Sequence, residues 1–480
     1  MQKKFITNLA LLLLLNLLIK PFWILGIDRA VQNAVSPVDY GLFYALFNFS
    51  FLFNILLDFG ITNFNNKNIA QNNHLLSKHL SGIVILRLLL AVVYLVITLI
   101  TGYIIGYNQY QLNLLLVMAF NQFLASFILY LRSNLAGLHL FKTDSIISVL
   151  DRLIMIAICS LLLWGGITNA NNPFKIEWYI YSQTIAYIVC VIITLFIVFE
   201  KARLKRLKWN TTFFIMILKK SYPYAILVLL MTFYNRIDAV MLERMLNDGK
   251  EQSSIYASAY RLLDAANMIA YLFAGLLLPI FARMIKLKHN VEDLVRLSFS
   301  ILFVLSMSSA IFSLNFNEEI MSLLYQNHIN ESAQVFSLLM SCFVFVATTY
   351  VFGTLLTANG NLKILNYMAA GGMLLNILLN IILIPQYKAL GSAMSSLITQ
   401  GATALFQVIV AQQLFKFKIN FKFLAAIAAY TLVSLFAVYF IKCLVHNLFI
   451  AFLLCFITFI ICTLFLQIVN FNSLKKEFSV

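Results

Sequence analysis

Charge is what this sequence has least of. Only 11% of its 480 residues are Asp, Glu, Lys or Arg, where a soluble domain carries roughly 25%. So few ions cannot cover a water-facing surface, and a soluble enzyme is excluded. Histidine is sparse as well. The 6 histidines, at positions 74, 79, 139, 289, 328 and 446, are scattered over loops and helix ends, and no catalytic constellation forms. The 6 cysteines all fall in apolar stretches without a C-x-x-C pair. They read as small buried hydrophobes, not as a disulfide or metal framework. No Walker loop is present, which argues against ATP hydrolysis by this chain. With only 6 Pro and 17 Gly, the apolar runs stay long and unbroken. A transmembrane β-barrel would alternate instead. Aromatic residues are plentiful: 43 Phe and 22 Tyr exclude a disordered chain.

What is there in quantity is oil. Apolar and aromatic residues make up 62% of the chain, and mean hydropathy is +0.90. A spanning helix needs about 20 such residues. Segments of that kind fall at 5–26, 38–60, 82–106, 111–136, 146–166, 178–199, 221–243, 254–281, 295–316, 333–358, 364–385, 390–415, 421–441 and 447–469. The fold class is therefore an all-α polytopic membrane protein with about 14 transmembrane helices. The first segment begins with Lys3 and Lys4, lacks a small-residue cleavage site, and reads as a spanning helix, not a removed signal.

Net charge is +16, but the cations sit in short loops, with none of the aromatic interleaving of a nucleic-acid surface. They report topology. With the N-terminus inside, 22 of the 34 Lys and Arg fall in cytoplasmic segments and 6 in outside ones. That bias follows the positive-inside rule and places both termini in the cytoplasm. The longest segment between spans, 200–220, carries Lys201, Arg203, Lys205, Arg206 and Lys208. It reads as a basic linker held near anionic lipid.

The linker divides six spans from eight. Shifting the chain by about 216 positions lays Lys20 on Arg236, Tyr40 on Tyr256, Tyr44 on Tyr260 and Lys67 on Arg283. Helix order and loop lengths repeat with them. The expected organisation is an N-lobe at 1–199 (helices 1–6), the linker at 200–220, a C-lobe at 221–415 (helices 7–12), and helices 13–14 with a tail at 416–480. Six is even, so the two lobes form a parallel pseudo-repeat. Transporters of that kind bind substrate near the midplane.

Charges inside spans are the informative ones. Lys20, Arg236 and Arg261 are cations placed deep in helices 1, 7 and 8, with Asp238 and Asp264 as the nearby acids. Facing lipid, each cation would cost roughly 2.5–3.5 kcal/mol. A wet cationic cavity that binds an anion is the functional expectation; an ion-pair network that only pins helices is the competing one. Asp238 and Asp264 are the candidates for coupling to H+ or Na+. A second group, Asp58, Arg87, Arg132, Asp151 and Arg152, lies toward the inner helix ends. Snorkelling and helix-end pairing account for it; an inner gate built on Asp58, Arg87, Asp151 and Arg152 is the alternative. No cofactor or metal is expected beyond a coupling ion.

Several stretches carry a resemblance. Asn376-Ile-Leu-Leu-Asn380, then Ile384-Pro385 and Gly391-Ser-Ala393, resemble a motif of polysaccharide flippases, the O-antigen-type translocases of the multidrug/oligosaccharidyl-lipid/polysaccharide superfamily. Arg236-Ile-Asp-Ala-Val-Met241, Tyr256-Ala-Ser-Ala-Tyr260-Arg-Leu and Leu278-Pro279-Ile-Phe-Ala-Arg283 look like that family's seventh and eighth helices. Asp39-Tyr-Gly41 and Leu57-Asp58-Phe-Gly60-Ile61 look like its second. The resemblance implies two six-helix lobes, two extra C-terminal helices, and no catalysis. It also implies movement of undecaprenyl-diphosphate-linked oligosaccharide from the cytoplasmic to the periplasmic leaflet of a bacterial inner membrane, alongside polysaccharide assembly proteins. Ion-coupled multidrug exporters and peptidoglycan-precursor flippases share the plan and remain open as alternatives. A membrane glycan polymerase would need a long external loop that this chain lacks.

The charge bias makes a direct prediction. In a background lacking the native cysteines, single cysteines at Lys205 and Asn317 are expected to react with impermeant maleimide from opposite sides of the membrane. Labelling from the same side would remove the fourteen-helix count.

Overall fold

The computed structural model describes residues 14–16, 18–62, 65, 75–138, 140–168, 172–202, 211–417, 420–445 and 447–468. Among them the chain is helical nearly throughout, as apolar runs in hydrocarbon require: without water, every backbone N–H must bond within its own segment. Helix α1 covers the described residues 14–16 and 18–34, with a π-helical stretch at Trp23–Asp28. α2 (Pro37–Leu52) and a short α3 (Ile55–Asp58) follow. Then come α4 (Leu75–Ile104), α5 (Gln109–Gly137), α6 (Phe141–Trp164) and α7 (Ile176–Ala202). α8 (Thr211–Met245), α9 (Gly249–Lys286), α10 (Glu292–Asn315), a short α11 (Asn317–Leu324) and α12 (Ile329–Ala358) come next. α13 (Leu362–Phe415), α14 (Phe421–Leu444) and α15 (Leu448–Phe465) complete the series.

Eleven of these are long and apolar enough to span a membrane. α13 is two spans: Lys388 has φ 53° and ψ −131°, which breaks the helix after Pro385. α1 and the interrupted α2–α3 supply two more, so the described residues carry fourteen spans. The two tight helix pairs of the sequence, at 107–111 and 387–390, are both real breaks. At the first, Gly106 takes φ +89°, which only glycine adopts freely. Asn108 and Gln111 then cap α5 reciprocally.

Two expected boundaries move. The first span was expected to end at residue 26, but its helix runs on to Ala34, which brings Asp28 and Arg29 out of the loop and into the helix. The expected linker at 200–220 is shorter: α8 begins at Thr211, at the start of the apolar run Thr211–Leu218. The basic stretch 203–210 lies outside the described residues, as do Lys67 and the side chain of Pro223.

The chain forms two compact units: one of Met1–Arg244 with Asp248–Ser254, the other of Met245–Asn247 with Ile255–Val480. In the first, α5 packs on α4, α6 and α7 through a core that includes Leu86, Leu90, Leu124, Phe127, Leu131 and Cys190. In the second, α12 packs on α10 and α13, and α14 and α15 close over Phe303, Ile311, Tyr430 and Phe459. Outward faces of the spans carry exposed Leu, Ile, Val and Phe, such as Val92, Phe196, Leu378 and Phe436, the composition a lipid-facing surface requires.

One close approach is decisive within the first unit. A Cβ on Gly41 would stand 1.6 Å from the carbonyl oxygen of Lys250, and Gln32 donates to the carbonyl of Ser254 at 3.1 Å. The start of α9 thus lies flush on α2 and α1. Backbone cannot retreat as a flexible side chain can. Gly41→Ala is therefore expected to lower stability by about 1–3 kcal/mol, the usual cost of overpacking, read as a lower melting temperature in detergent. An unchanged melting temperature would show that this contact is loose.

Candidate functional site

The structure sorts the intramembrane charges by partner. Asp58 and Arg87 pair directly. Asp58 sits where α3 ends in two left-handed residues, Phe59 and Gly60. Its carboxylate accepts from the backbone of Gly60 at 3.0 Å and of Thr62 at 3.1 Å. Arg87, 2% exposed, donates to the Ser126 carbonyl at 3.0 Å and to Thr62 Oγ1 at 2.6 Å, and lies over the Tyr130 ring. Both terminal nitrogens are committed. The group staples the break after α2 to α4 and α5.

A different arrangement surrounds Lys20. Arg132 pairs with Asp144 at 2.7 Å, and Arg152 reaches Asp151 at 3.6 Å. The Arg152 guanidinium lies 5.4 Å over the Trp23 ring, and Trp23 stacks on Tyr179. Lys20 is within electrostatic reach of Arg152, Asp151 and Arg132. The sequence groups Lys20 with Arg236 and Arg261, and the other three separately, toward the inner helix ends. The fold brings them together, because α1 extends eight residues further than expected and Lys20 is correspondingly deeper.

Arg236 is half-buried on α8, with its guanidinium 5.4 Å from the Phe51 ring centroid. Asp238, two residues on, is buried; residues at i and i+2 on a helix point in different directions. On α9 in the second unit, Arg261 and Asp264 are both half-buried. All four engage neighbours, so none is a bare charge.

Besides Asp144, two buried carboxylates are not singled out by the sequence. Asp28, 2% exposed, ends the π-helical stretch of α1. It accepts from Tyr40 Oη at 2.9 Å and Tyr179 Oη at 2.5 Å. The absence of any stop signal between Phe22 and Val35 was the available clue that the helix continues past it. Glu243, near the end of α8, is buried as well. It accepts from Gln111 Nε2 at 3.2 Å and lies 3.8 Å from Arg244, which itself donates to the Ile105 carbonyl. The apolar run at 221–243 stops one residue short of Arg244, whereas the helix continues to Met245.

The second unit holds an uncharged polar interior. Asn376 and Asn380 are fully buried, with Asn380 Nδ2 donating to Asn376 Oδ1 at 3.1 Å along their own helix. After the Lys388 break, Ser392, Ser395, Ser396, Thr399, Thr403 and Gln407 form one buried polar face. Tyr256 Oη lies 3.4 Å from Ser396 Oγ. Such hydrogen bonds hold helices together where no hydrophobic force can. Among the described residues no three His, Cys, Asp or Glu side chains gather as a metal site would require.

The fold has known counterparts. A lipid II flippase, MurJ, in an inward closed conformation aligns over 95% of this chain and 99% of its own, with 16% identity and a TM-score of 0.72. An inward-facing multidrug resistance MATE family transporter of the MOP superfamily aligns over 82% and 96%, with 13% identity and a TM-score of 0.64. A eukaryotic MATE transporter aligns over 84% and 96%, with 15% identity and a TM-score of 0.52. These likenesses establish a flippase and transporter fold. No curated protein matches the sequence. The model of the polysaccharide biosynthesis protein family matches residues 6–285, more than half of the chain. The chain therefore belongs to the polysaccharide biosynthesis protein family.

Proposed function

We propose that this protein is a flippase that moves a polyprenyl-diphosphate-linked oligosaccharide from the cytoplasmic to the periplasmic leaflet of a bacterial inner membrane by alternating access, as a non-enzymatic step of surface polysaccharide or O-antigen assembly. The observation that carries the reading is the placement of Lys20, Arg236 and Arg261 deep in spanning helices of a fold shared with flippases. An ionised diphosphate has a prohibitive solvation cost in about 30 Å of hydrocarbon. Cationic side chains along the way replace its water. Arg grips phosphate with two parallel hydrogen bonds, and Lys acts as a point charge. The prenyl tail needs no such help and stays in lipid. Membership of the polysaccharide biosynthesis family supports a glycan cargo. The likeness to a lipid II flippase favours one second reading, transport of a peptidoglycan precursor, which carries the same diphosphate.

No ATP site drives the step, so H+ or Na+ coupling through Asp238 or Asp264 belongs to this reading, and the buried Asp28 joins them as a third candidate. An inner gate at Asp58–Arg87 and Asp151–Arg152 would open and close the cytoplasmic end. Polysaccharide assembly proteins are the expected partners.

Replacing Arg236 or Arg261 with Gln is expected to abolish glycan export while membrane abundance stays normal; Lys at either position should restore it partly. A helix-pinning network predicts loss of protein instead, with recovery when the neighbouring Asp is neutralised too. Normal export from a well-expressed Arg236→Ala, Arg261→Ala protein would overturn the cationic mechanism. For coupling, Asp28→Asn, Asp238→Asn and Asp264→Asn are each to be assayed for gradient-dependent transport. At least one is expected to lose it, and retention in all three excludes these carboxylates.

A further inference from the structure

Helix α9 carries three different faces through the second unit. Leu263, Ala270 and Leu277 are buried and hold it against its neighbours. Leu276 and Ile280, 42% and 44% exposed, have the composition of a lipid-facing side. A polar stripe runs apart from both. Asp264, Asn267, Tyr271 and Gly275 follow one another at intervals of three and four residues, and so share a face. At 3.6 residues per turn, Leu276 and Ile280 stand about 140° and 180° round the helix from Tyr271. The stripe therefore faces away from lipid; beyond Gly275 it ends, and the face turns apolar again at Leu278.

Tyr271 is the prominent member. It is 67% exposed, and among the described residues its hydroxyl has no hydrogen-bond partner. Arg283, near the end of α9, lies twelve residues further on, about 18 Å along the axis. Tyr271 is thus too deep for an interfacial aromatic belt, and a phenol so placed needs water. Its ring meets that of Tyr350 on α12 edge to face, with centroids 6.4 Å apart. Thr354 and Thr357 continue the face of Tyr350 along α12. Their hydroxyls donate to the carbonyls of Tyr350 at 2.5 Å and Gly353 at 2.7 Å, which leaves oxygen lone pairs to accept. One turn from Tyr271 on the other side, the Asn267 Oδ1 has no partner. A Cβ on Gly275 would meet nothing within 4 Å, so open space lies beside the Tyr271 ring. An anion is not called for: Arg261 and Asp264, the ions of α9 nearest to Tyr271, cancel in charge.

We propose that Tyr271, propped edge-on by Tyr350, is a stacking platform for an uncharged pyranose ring of the transported glycan, with Asn267, Thr354 and Thr357 as hydrogen-bonding partners for its hydroxyls. This rests on the flippase reading above. A pyranose offers a face of C–H groups with partial positive charge, which suits the electron-rich face of an aromatic ring. Its rim of hydroxyls suits the few amide and hydroxyl groups beside that ring, the usual make-up of a small-molecule site. Stacking asks for no particular arrangement of hydroxyls, so a succession of different neutral sugars can pass over the same ring.

Two measurements test the platform. In purified protein, a polyprenyl diphosphate that carries a neutral N-acetylglucosamine–galactose disaccharide is expected to raise the melting temperature more than bare polyprenyl diphosphate does. The excess should vanish in Tyr271→Leu and persist in Tyr271→Phe and Tyr271→Trp, which keep a ring. Gly275→Leu, which fills the space beside the ring and leaves Tyr271 in place, should remove the excess as well and serves if Tyr271→Leu fails to fold. No excess in the wild type, or the same excess in Tyr271→Leu or Gly275→Leu, overturns the platform, and this holds whether or not the protein is a flippase. In proteoliposomes, Tyr271→Leu should slow translocation of the disaccharide lipid at least tenfold and leave that of bare polyprenyl diphosphate unaffected. Equal slowing of both lipids also overturns the platform, because the ring then serves the diphosphate or the fold. If the wild type moves the disaccharide lipid and Tyr271→Leu moves it as fast, the platform fails while the flippase reading stands. If the wild type moves neither lipid, the flippase reading itself fails.

Discussion

Hydrocarbon cannot hydrogen-bond, and almost every feature of this protein follows from that constraint. Backbone groups must pair within their own segment, so a chain with few prolines and long apolar runs becomes a series of helices. Side-chain charges must find partners or water, so those inside the spans are placed with purpose. Where a helix is interrupted, the exposed backbone is answered locally. Asp58 takes the amides of Gly60 and Thr62, and Asn108 and Gln111 cap α5. The break after α2 and the pairing of Asp58 with Arg87 are thus one feature: the carboxylate that satisfies the turn also recruits the arginine that ties it to α4 and α5.

The two units meet this demand in different currencies of polarity. The first keeps ions inside: Asp28 beneath two tyrosine hydroxyls, Arg87 on Asp58, Arg132 on Asp144, and the Lys20–Asp151–Arg152 group. The second keeps Arg261 and Asp264 half-buried and adds uncharged groups, with Asn376, Asn380 and the Ser/Thr/Gln face after Lys388 buried among helices. Neutral polar groups lose little solvation energy and lock helix positions; buried ions lose much and hold specific counter-charges.

Small residues set where helices touch. Gly41 admits the carbonyl of Lys250, and Gly353 leaves room for Gln407, whose side-chain oxygen would be 2.8 Å from any Cβ there. Both contacts put backbone or a polar head against a helix at a distance that a methyl group would prevent. The Tyr430 hydroxyl, 2.6 Å from Ser308 Oγ, plays the complementary part by anchoring α14 to α10 with a hydrogen bond.

Composition and periodicity by themselves determined the class, the number of spans and the positions of most helices, because a 20-residue apolar run has one stable form in lipid. They also singled out the intramembrane ions, since charge in such a chain is rare enough to notice. Tertiary structure alone decided how those ions are grouped. Lys20 was separated from Arg132, Asp151 and Arg152 by more than a hundred residues and by an underestimated first helix; only the packing of α1 against α6 brings them together. Asp28 and Glu243 were hidden for a related reason: a carboxylate near a helix end looks solvated in sequence, and nothing short of the fold shows that Tyr40, Tyr179 or Gln111 has taken the place of water.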